Sequence, residues 1–226
     1  MEKKATKVIE GEALDILIGS KPLAQSTKDE KDSEAVKNNI IKLLKDKYGV
    51  SEEDFLSAEL TVVPAGRARE SGIDRSMIMA YGQDDKVCAF TSLKAMLAVK
   101  DPKHTTCCLL VDKEEIGSVG ATGMRSKFFE NTVAELIGLL YEKYDERLKN
   151  RALSNSRMLS SDVSAAFDPT YASVYEKKNS CYFGRGMVFN KFTGSRGKSG
   201  SNDANAEYMA RIRGILDDAS VAYQTA

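Results

Sequence analysis

The chain has 226 residues, which is enough for one large domain or two modest ones. Its 33 basic residues balance 33 acidic residues, so charge gives no reason to expect a nucleic acid or an anionic membrane as a partner. No apolar run approaches the roughly 20 residues of a membrane-spanning helix. The charged start of the chain is followed by no apolar segment, so no signal peptide is predicted.

The cysteine and histidine contents bear on location and chemistry. The four cysteines show no CxxC spacing, which argues against a zinc knuckle or redox motif and favours reduced thiols in a cytoplasmic protein. The single histidine, His104, lies in a polar turn. Because zinc enzymes usually bind their metal through one to three histidines, either this is no zinc enzyme or part of the site lies elsewhere.

The first 72 residues contain few predicted elements. Residues 1–32 are polar, and the following apolar side chains at helical spacing predict a helix that ends at Gly49. Its apolar face carries Val36, Ile40, Leu43, Leu44 and Tyr48. A short strand is predicted over 60–63, because an apolar run there is stopped by Pro64.

From about residue 73, apolar helices and short apolar strands alternate, which is typical of an open α/β sheet. Helices are predicted over residues 85–99, 127–148 and 202–216, and strands over 107–111 and 187–190. Residues 221–226 have the pattern of a strand that has only begun, so we expect the chain to be truncated there.

Two adjacent glutamates, Glu114 and Glu115, follow the predicted strand 107–111. Ligands bind at the carboxyl ends of strands in open α/β sheets. One glutamate of such a pair can bind a metal ion while its neighbour acts as general base toward a water molecule. A solvated acidic turn is an equally good interpretation of this motif taken alone.

Three aspartates form weaker candidates. Asp84 and Asp85 open the predicted helix 85–99, and Asp162 follows a short apolar run. An aspartate at a helix start caps free N–H groups, and capping is the favoured interpretation of each motif taken alone. The functional interpretation of the Asp84–Asp85 pair is a carboxylate that bridges two metal ions about 3.5–4 Å apart.

Two glycine-rich segments partly match the patterns of phosphate-binding loops. Residues 117–123 have the spacing GxxGxxG, whereas the dinucleotide fingerprint is GxGxxG. Residues 194–199 would need a glycine at position 192, where the chain has Phe192. Glycine-rich connections are the favoured interpretation, and nucleotide binding through 194–199 is kept as the weakest candidate function.

Taken together, the motifs resemble the bacterial branch of the aspartyl aminopeptidase family over nearly the whole chain. The matching segments are GIDRS at 72–76, YGQDDKVC at 81–88, DKEEIGS at 112–118, SDV at 161–163 and NKFTGSRGKSG at 190–200. The resemblance implies an α/β, open-sheet zinc-peptidase domain with an inserted domain for oligomer assembly. Residues 1–72 would be part of the inserted domain, and residues 73–226 the central part of the peptidase domain.

The resemblance also implies a function and residue roles. The expected activity is the removal of N-terminal residues, preferably acidic ones, from peptide substrates by a homo-oligomer that uses two zinc ions, with Mn or Co as alternatives. Asp84 would bridge the two ions, Glu115 would bind one and Asp162 the other. Glu114 would be the general base, and no other cofactor is implied.

The chain departs from the family pattern at the histidine ligands. A His-x-Asp motif and a second histidine ligand of the family have no counterpart here, so we expect this chain alone to be inactive. A site built only from carboxylates would favour harder ions such as Mn²⁺ or Mg²⁺ over zinc. The alternative function is a non-catalytic scaffold that oligomerises through its first 70 residues.

Overall fold

The computed structural model describes residues 15–24, 34–193 and 202–226. Contacts along the chain divide it into two compact units, Met1–Ala65 and Gly66–Ala226. The assignment of residues 1–72 to an inserted domain and of residues 73–226 to a peptidase domain stays a prediction. The glycine-rich segment 194–199 lies outside the described residues, and so does the nucleotide-binding alternative that rests on it.

The first unit is built on helix α1, Ala35–Tyr48, as the sequence predicts. Gly49 ends the helix in the left-handed conformation, with φ 71°, and its N–H bonds the Lys45 carbonyl at 3.0 Å. A 3₁₀ turn, Glu53–Leu56, follows. The strand predicted over 60–63 is wrong, because no described residue pairs with that segment, and a strand is defined by its pairing.

The second unit opens with a hairpin that the sequence analysis missed. Strands β1, Arg69–Ser71, and β2, Met77–Met79, are antiparallel, with Arg69 opposite Met79. Helix α2, Gln83–Ala98, follows directly. Its second and third residues, Asp84 and Asp85, have non-helical dihedrals and are joined by a cis peptide bond.

The long helix predicted over 127–148 is wrong, because the chain forms two helices there. They are α3, Phe128–Leu140, and α4, Glu146–Asn155. Tyr141 is extended, with φ −125° and ψ 137°, which ends α3. Asp145 then caps α4, because its carboxylate accepts a hydrogen bond from the Arg147 N–H at 2.9 Å.

The last part of the chain forms a parallel strand pair joined through a helix. Strand β3, Met187–Phe189, pairs in parallel with β6, Tyr223–Thr225, and helix α5, Ala206–Asp218, lies between them in sequence. Strands β4, Phe192–Thr193, and β5, Asn202–Asp203, form an antiparallel pair. Both strands predicted here are confirmed, and the helix predicted over 202–216 begins only at Ala206, because residues 202–203 form β5. The strand predicted over 107–111 is wrong, because no described segment pairs with it.

The described residues therefore form a mixed α/β structure with three two-stranded sheets. Few apolar side chains among them are buried: Ile137 is 8% exposed and Cys181 is 3% exposed. Phe167 packs against Tyr175 and Tyr182, with ring centroids 5.4 and 5.5 Å away. Within residues 15–24, 34–193 and 202–226, every helix is too short or too polar to span a bilayer.

Candidate metal centre

Three aspartates from distant parts of the chain meet in the second unit. One carboxylate oxygen each of Asp84, Asp85 and Asp162 lies within 4.8 Å of the other two. Asp84 and Asp162 are exposed and Asp85 is half-buried. We call these three residues the aspartate cluster. It contains two of the three predicted metal ligands, Asp84 and Asp162.

The start of α2 is fixed by local hydrogen bonds that position Asp84 and Asp85. Gly82 has φ 76°, a conformation that suits glycine, and its carbonyl accepts the N–H of Lys86 at 3.3 Å. The side-chain amide of Gln83 donates to the Ile78 carbonyl at 3.3 Å, which ties the helix start to β2. The N-cap of α2 is Gly82, and no side-chain hydrogen bond caps the helix start.

Asp162 lies in a segment without regular secondary structure, 156–165. Its carboxylate accepts a hydrogen bond from the N–H of Val163 at 2.7 Å. This bond holds the side chain against its own backbone. Asp162 caps no helix of the described chain, so the capping interpretation favoured by the isolated motif is wrong for this residue.

The aspartate cluster carries concentrated negative charge. Two like charges about 4 Å apart repel by roughly 1 kcal/mol in bulk water and by several times more at a dielectric constant near 20. None of the three carboxylates forms an ion pair with a described lysine or arginine. Asp85 Oδ1 is buried and has no hydrogen-bond partner among the described residues.

A divalent cation fits this arrangement on two grounds. It would neutralise the repelling carboxylates, and it would satisfy a buried oxygen whose isolation is otherwise costly. Three oxygen donors suit hard ions such as Mn²⁺ and Mg²⁺, whereas zinc sites normally include histidine or cysteine. The aspartate cluster thus fits part of a zinc site, and His104 is not a member of it.

Cys88 and Ser161 adjoin the aspartate cluster, although no role was predicted for either from the sequence. Burial raises the pKa of the Cys88 thiol to about 11, a hydrogen bond to Asp85 acts in the same direction, and a hydrogen bond from Ser161 opposes both. The thiol is therefore protonated at neutral pH. Its position one helical turn after Asp85 was the available sequence signal.

Glu114 and Glu115 lie in a separate local structure. They begin a 3₁₀ turn, Glu114–Ile116, which we call the glutamate turn, and both are exposed. Lys113 and Gly117 flank it in the left-handed conformation, with φ 66° and 92°. Neither glutamate is within the 4.8 Å grouping of the three aspartates. The structure thus does not bring the predicted base and the predicted third ligand into the cluster.

The glycine-rich segment 117–123 closes the loop behind the glutamate turn. The N–H of Asp112 bonds the Thr122 carbonyl at 3.1 Å, and the N–H of Arg125 bonds the Ser118 carbonyl at 3.2 Å. Gly123 is buried, and a Cβ atom at this position would collide with the backbone of Ser118. A close backbone approach therefore explains this glycine without any phosphate ligand.

The whole chain matches one protein-family model. Residues 1–226 match the family described as aminopeptidase I zinc metalloprotease (M18). The chain therefore belongs to the M18 family of zinc metalloproteases. The resemblance to zinc-dependent aminopeptidases that the acidic motifs carry is confirmed by this match.

Relatives from two bacteria agree with this assignment. The chain is 63% identical over 226 residues to a probable M18 family aminopeptidase 1 of Clostridium acetobutylicum, covering 100% of this chain and 48% of the relative. The crystal structure of aminopeptidase I from that organism superposes with a TM-score of 0.84 at 61% identity, over 100% of this chain and 47% of the other. An M18-family aminopeptidase from Thermotoga maritima gives a TM-score of 0.83 at 41% identity, over 92% and 45%.

The chain thus spans about half the length of the curated relatives that it matches. This share agrees with the expectation that the chain carries only part of the family sequence. The likeness in three dimensions to M18 aminopeptidase structures also confirms the predicted α/β fold of a partial zinc-peptidase domain.

Proposed function

We propose that this chain supplies the carboxylate part of a dinuclear zinc centre in an aminopeptidase that removes N-terminal, preferably acidic, residues from peptides. The observation that carries the proposal is the meeting of Asp84 and Asp162, two residues assigned as ligands from separate motifs. Family membership supports zinc as the metal of the complete protein. The preference for acidic residues rests on the motif resemblance.

The proposed mechanism divides the work among four side chains. Asp84 and Asp162 would hold the ions, with Glu115 as a further ligand, and bound divalent ions would supply Lewis acidity at the scissile carbonyl. Glu114 would take a proton from the attacking water and return it to the leaving amine as the C–N bond breaks. Exposure leaves the Glu114 carboxylate accessible to water and peptide.

The chain alone is proposed to be inactive, because its donors are oxygens and its one histidine is not in the cluster. The complete protein is proposed to be a cytoplasmic homo-oligomer; all four cysteines are free thiols. The alternative, a non-catalytic scaffold, would be favoured by a stable assembly larger than a monomer that binds no metal.

A chimera tests the proposed activity. This chain replaces the matched half of the C. acetobutylicum relative, to which it is 63% identical. With zinc, the chimera is expected to release N-terminal Asp or Glu from short peptides faster than Leu. Asp162→Asn should abolish turnover. The control is Asp101→Asn, which should not, because Asp101 is exposed, lies outside the cluster and has a φ of 48° that asparagine also adopts.

Each result of this experiment has a definite meaning. A folded, zinc-loaded chimera without peptidase activity would overturn the proposed function. Equal rates on Asp, Glu and Leu peptides would remove the acidic preference only. Metal-dependent turnover by the 226-residue chain alone would show that its own residues complete the centre.

A further inference from the structure

Asp162 is carried by a segment that its own backbone does not hold in place. Among the described residues, no backbone-to-backbone hydrogen bond involves residues 157–165, and these residues belong to no helix or strand. All of them are exposed, so burial contributes little to their position. The position of Asp162 therefore depends on side-chain contacts from other parts of the chain.

The first of these contacts comes from Cys88, on helix α2. The hydroxyl of Ser161, the residue before Asp162, donates a hydrogen bond to the Cys88 sulfur, and the Cys88 thiol donates to the carboxylate of Asp85. Cys88 follows Asp84 and Asp85 on the same helix. The thiol thus joins the segment that carries Asp162 to the element that carries Asp84.

The second contact comes from Cys181, which is 3% exposed. Its thiol donates to the Ala165 carbonyl at 3.2 Å, and its sulfur lies 3.8 Å from the hydroxyl oxygen of Ser164. The carbonyl of Cys181 accepts the N–H of Phe167 at 2.8 Å. Cys181 therefore holds the segment just after Asp162, whereas Cys88 holds it just before.

Cys181 is fixed in turn by strand β6. The side chain of Gln224, in β6, accepts the N–H of Tyr182 at 2.9 Å and donates to the Tyr182 carbonyl at 3.0 Å. Strand β6 is itself paired with β3. The segment that carries Asp162 is thus held from two sides, by helix α2 through Cys88 and by strand β6 through Cys181.

We propose that Cys88 and Cys181 are positioning residues of the metal centre, which set the distance between the carboxylates of Asp84 and Asp162. The inference rests on the proposed function, because it takes Asp162 as a metal ligand. Neither thiol has to contact the ion, since each acts through the segment that carries Asp162. Loss of an outer contact that orients a metal ligand usually lowers metal affinity by roughly 10–100-fold.

The test measures the zinc affinity of the chimera by competition with a chromogenic chelator. Ser161→Ala and Cys88→Ala should each weaken zinc binding by roughly tenfold or more. The melting temperature of metal-free Ser161→Ala should stay unchanged, because Ser161 is exposed. Cys88→Ser should bind zinc as the unchanged chimera does, because a hydroxyl also accepts from Ser161 and donates to Asp85.

The matched control is Ser160→Ala, which removes an exposed hydroxyl of the same segment that bonds no described residue. It should leave the zinc affinity unchanged. Equal affinities for Ser160→Ala and Ser161→Ala would overturn the role of Cys88. A Cys88→Ser variant that binds zinc as weakly as Cys88→Ala would also overturn it, because the hydrogen bonds of the side chain would then not matter.

Cys181 is tested by comparing Cys181→Ala with Cys181→Ser. Both variants should lower the melting temperature, because each truncates a buried side chain. The alanine variant should bind zinc roughly tenfold more weakly than the serine variant, because serine still donates to the Ala165 carbonyl. Equal zinc affinities would show that Cys181 supports the fold only, and would overturn its positioning role.

Asp162→Asn separates this inference from the proposed function. If Asp162→Asn weakens zinc binding while the serine-to-alanine and cysteine-to-alanine variants bind normally, the inference fails and the metal role of Asp162 stands. If Asp162→Asn binds zinc as tightly as the unchanged chimera, that metal role fails and the inference fails with it. Affinities that fall as expected in a chimera that hydrolyses no peptide would support the positioning role and refute the aminopeptidase activity.

Discussion

The aspartate cluster and the glutamate turn are both acidic, but they are built in different ways. The cluster unites Asp84 and Asp85, at the start of α2, with Asp162 from an irregular segment. The glutamate turn is local, because backbone hydrogen bonds within 112–125 hold it. Local structure does not explain why acidic residues from distant parts of the chain meet without ion-pair partners. It does explain an exposed acidic turn. The aspartate cluster is therefore the better-supported half of the proposed site.

The largest expected effect comes from the glutamate turn. Glu114→Gln in the chimera should lower kcat by roughly 10²–10⁴-fold, because the amide cannot accept the proton of the attacking water. Zinc content, measured by elemental mass spectrometry, should stay unchanged because Glu114 is proposed as the base and not as a metal ligand. An unchanged kcat would show that the turn has no catalytic part and is an ordinary solvated turn.

The second prediction concerns the cluster. Asp84→Asn in the 226-residue chain should weaken Mn²⁺ binding by at least about 100-fold in calorimetry, more than the loss of an outer-shell partner usually costs. The control Asp101→Asn should bind as the unchanged chain does. Equal affinities for both variants would place the bound ion elsewhere and remove the contrast between cluster and turn.

Some helices and strands of the fold could be predicted from the sequence, and others could not. The 3.6-residue spacing of apolar side chains was enough for α1 and α5, and the apolar runs near 187–190 and 221–226 were enough for β3 and β6. The break between α3 and α4 was missed because the apolar pattern continues through Tyr141 and Tyr144, while Asp145 caps a new helix. A regular spacing of apolar residues does not show where one helix ends and a capping residue starts the next.

The metal centre, too, could be predicted only in part from the sequence. Residue types and the motif resemblance selected Asp84 and Asp162, but only folding brings the two together, and neither local pattern contains that information. Asp85 joins them as a half-buried acid with an unpartnered oxygen, a role that its sequence position did not disclose. The roles of Glu114 and Glu115 remain predictions from the resemblance.

A third prediction tests whether the backbone of the loop matters to the glutamate turn. Gly123→Ala should lower kcat of the chimera by roughly tenfold or more, because its Cβ would displace the Ser118 backbone, and small misplacements of catalytic groups are costly. Gly138→Ala is the control, since a Cβ there meets open space within α3. Equal rates for the two variants would mean that the loop tolerates displacement.

The smallest expected effect concerns Cys88, the protonated thiol beside the aspartate cluster. With a raised pKa of about 11, roughly one Cys88 thiol in a thousand is ionised at pH 8, so alkylation by iodoacetamide should be slow. The exposed Cys107 should react first in a mass-spectrometric time course. Asp85→Asn should speed labelling of Cys88, because it removes one of the charges that raise the pKa. Labelling of Cys88 as fast as Cys107 would contradict the described environment.

A decisive experiment locates the bound metal ion itself. Crystals of the 226-residue chain soaked in Mn²⁺ would be measured for anomalous scattering. We expect an anomalous peak in contact with carboxylate oxygens of Asp84, Asp85 and Asp162. A peak at the glutamate turn or elsewhere, with the three aspartates left without an ion, would contradict the claim that the cluster is the metal centre.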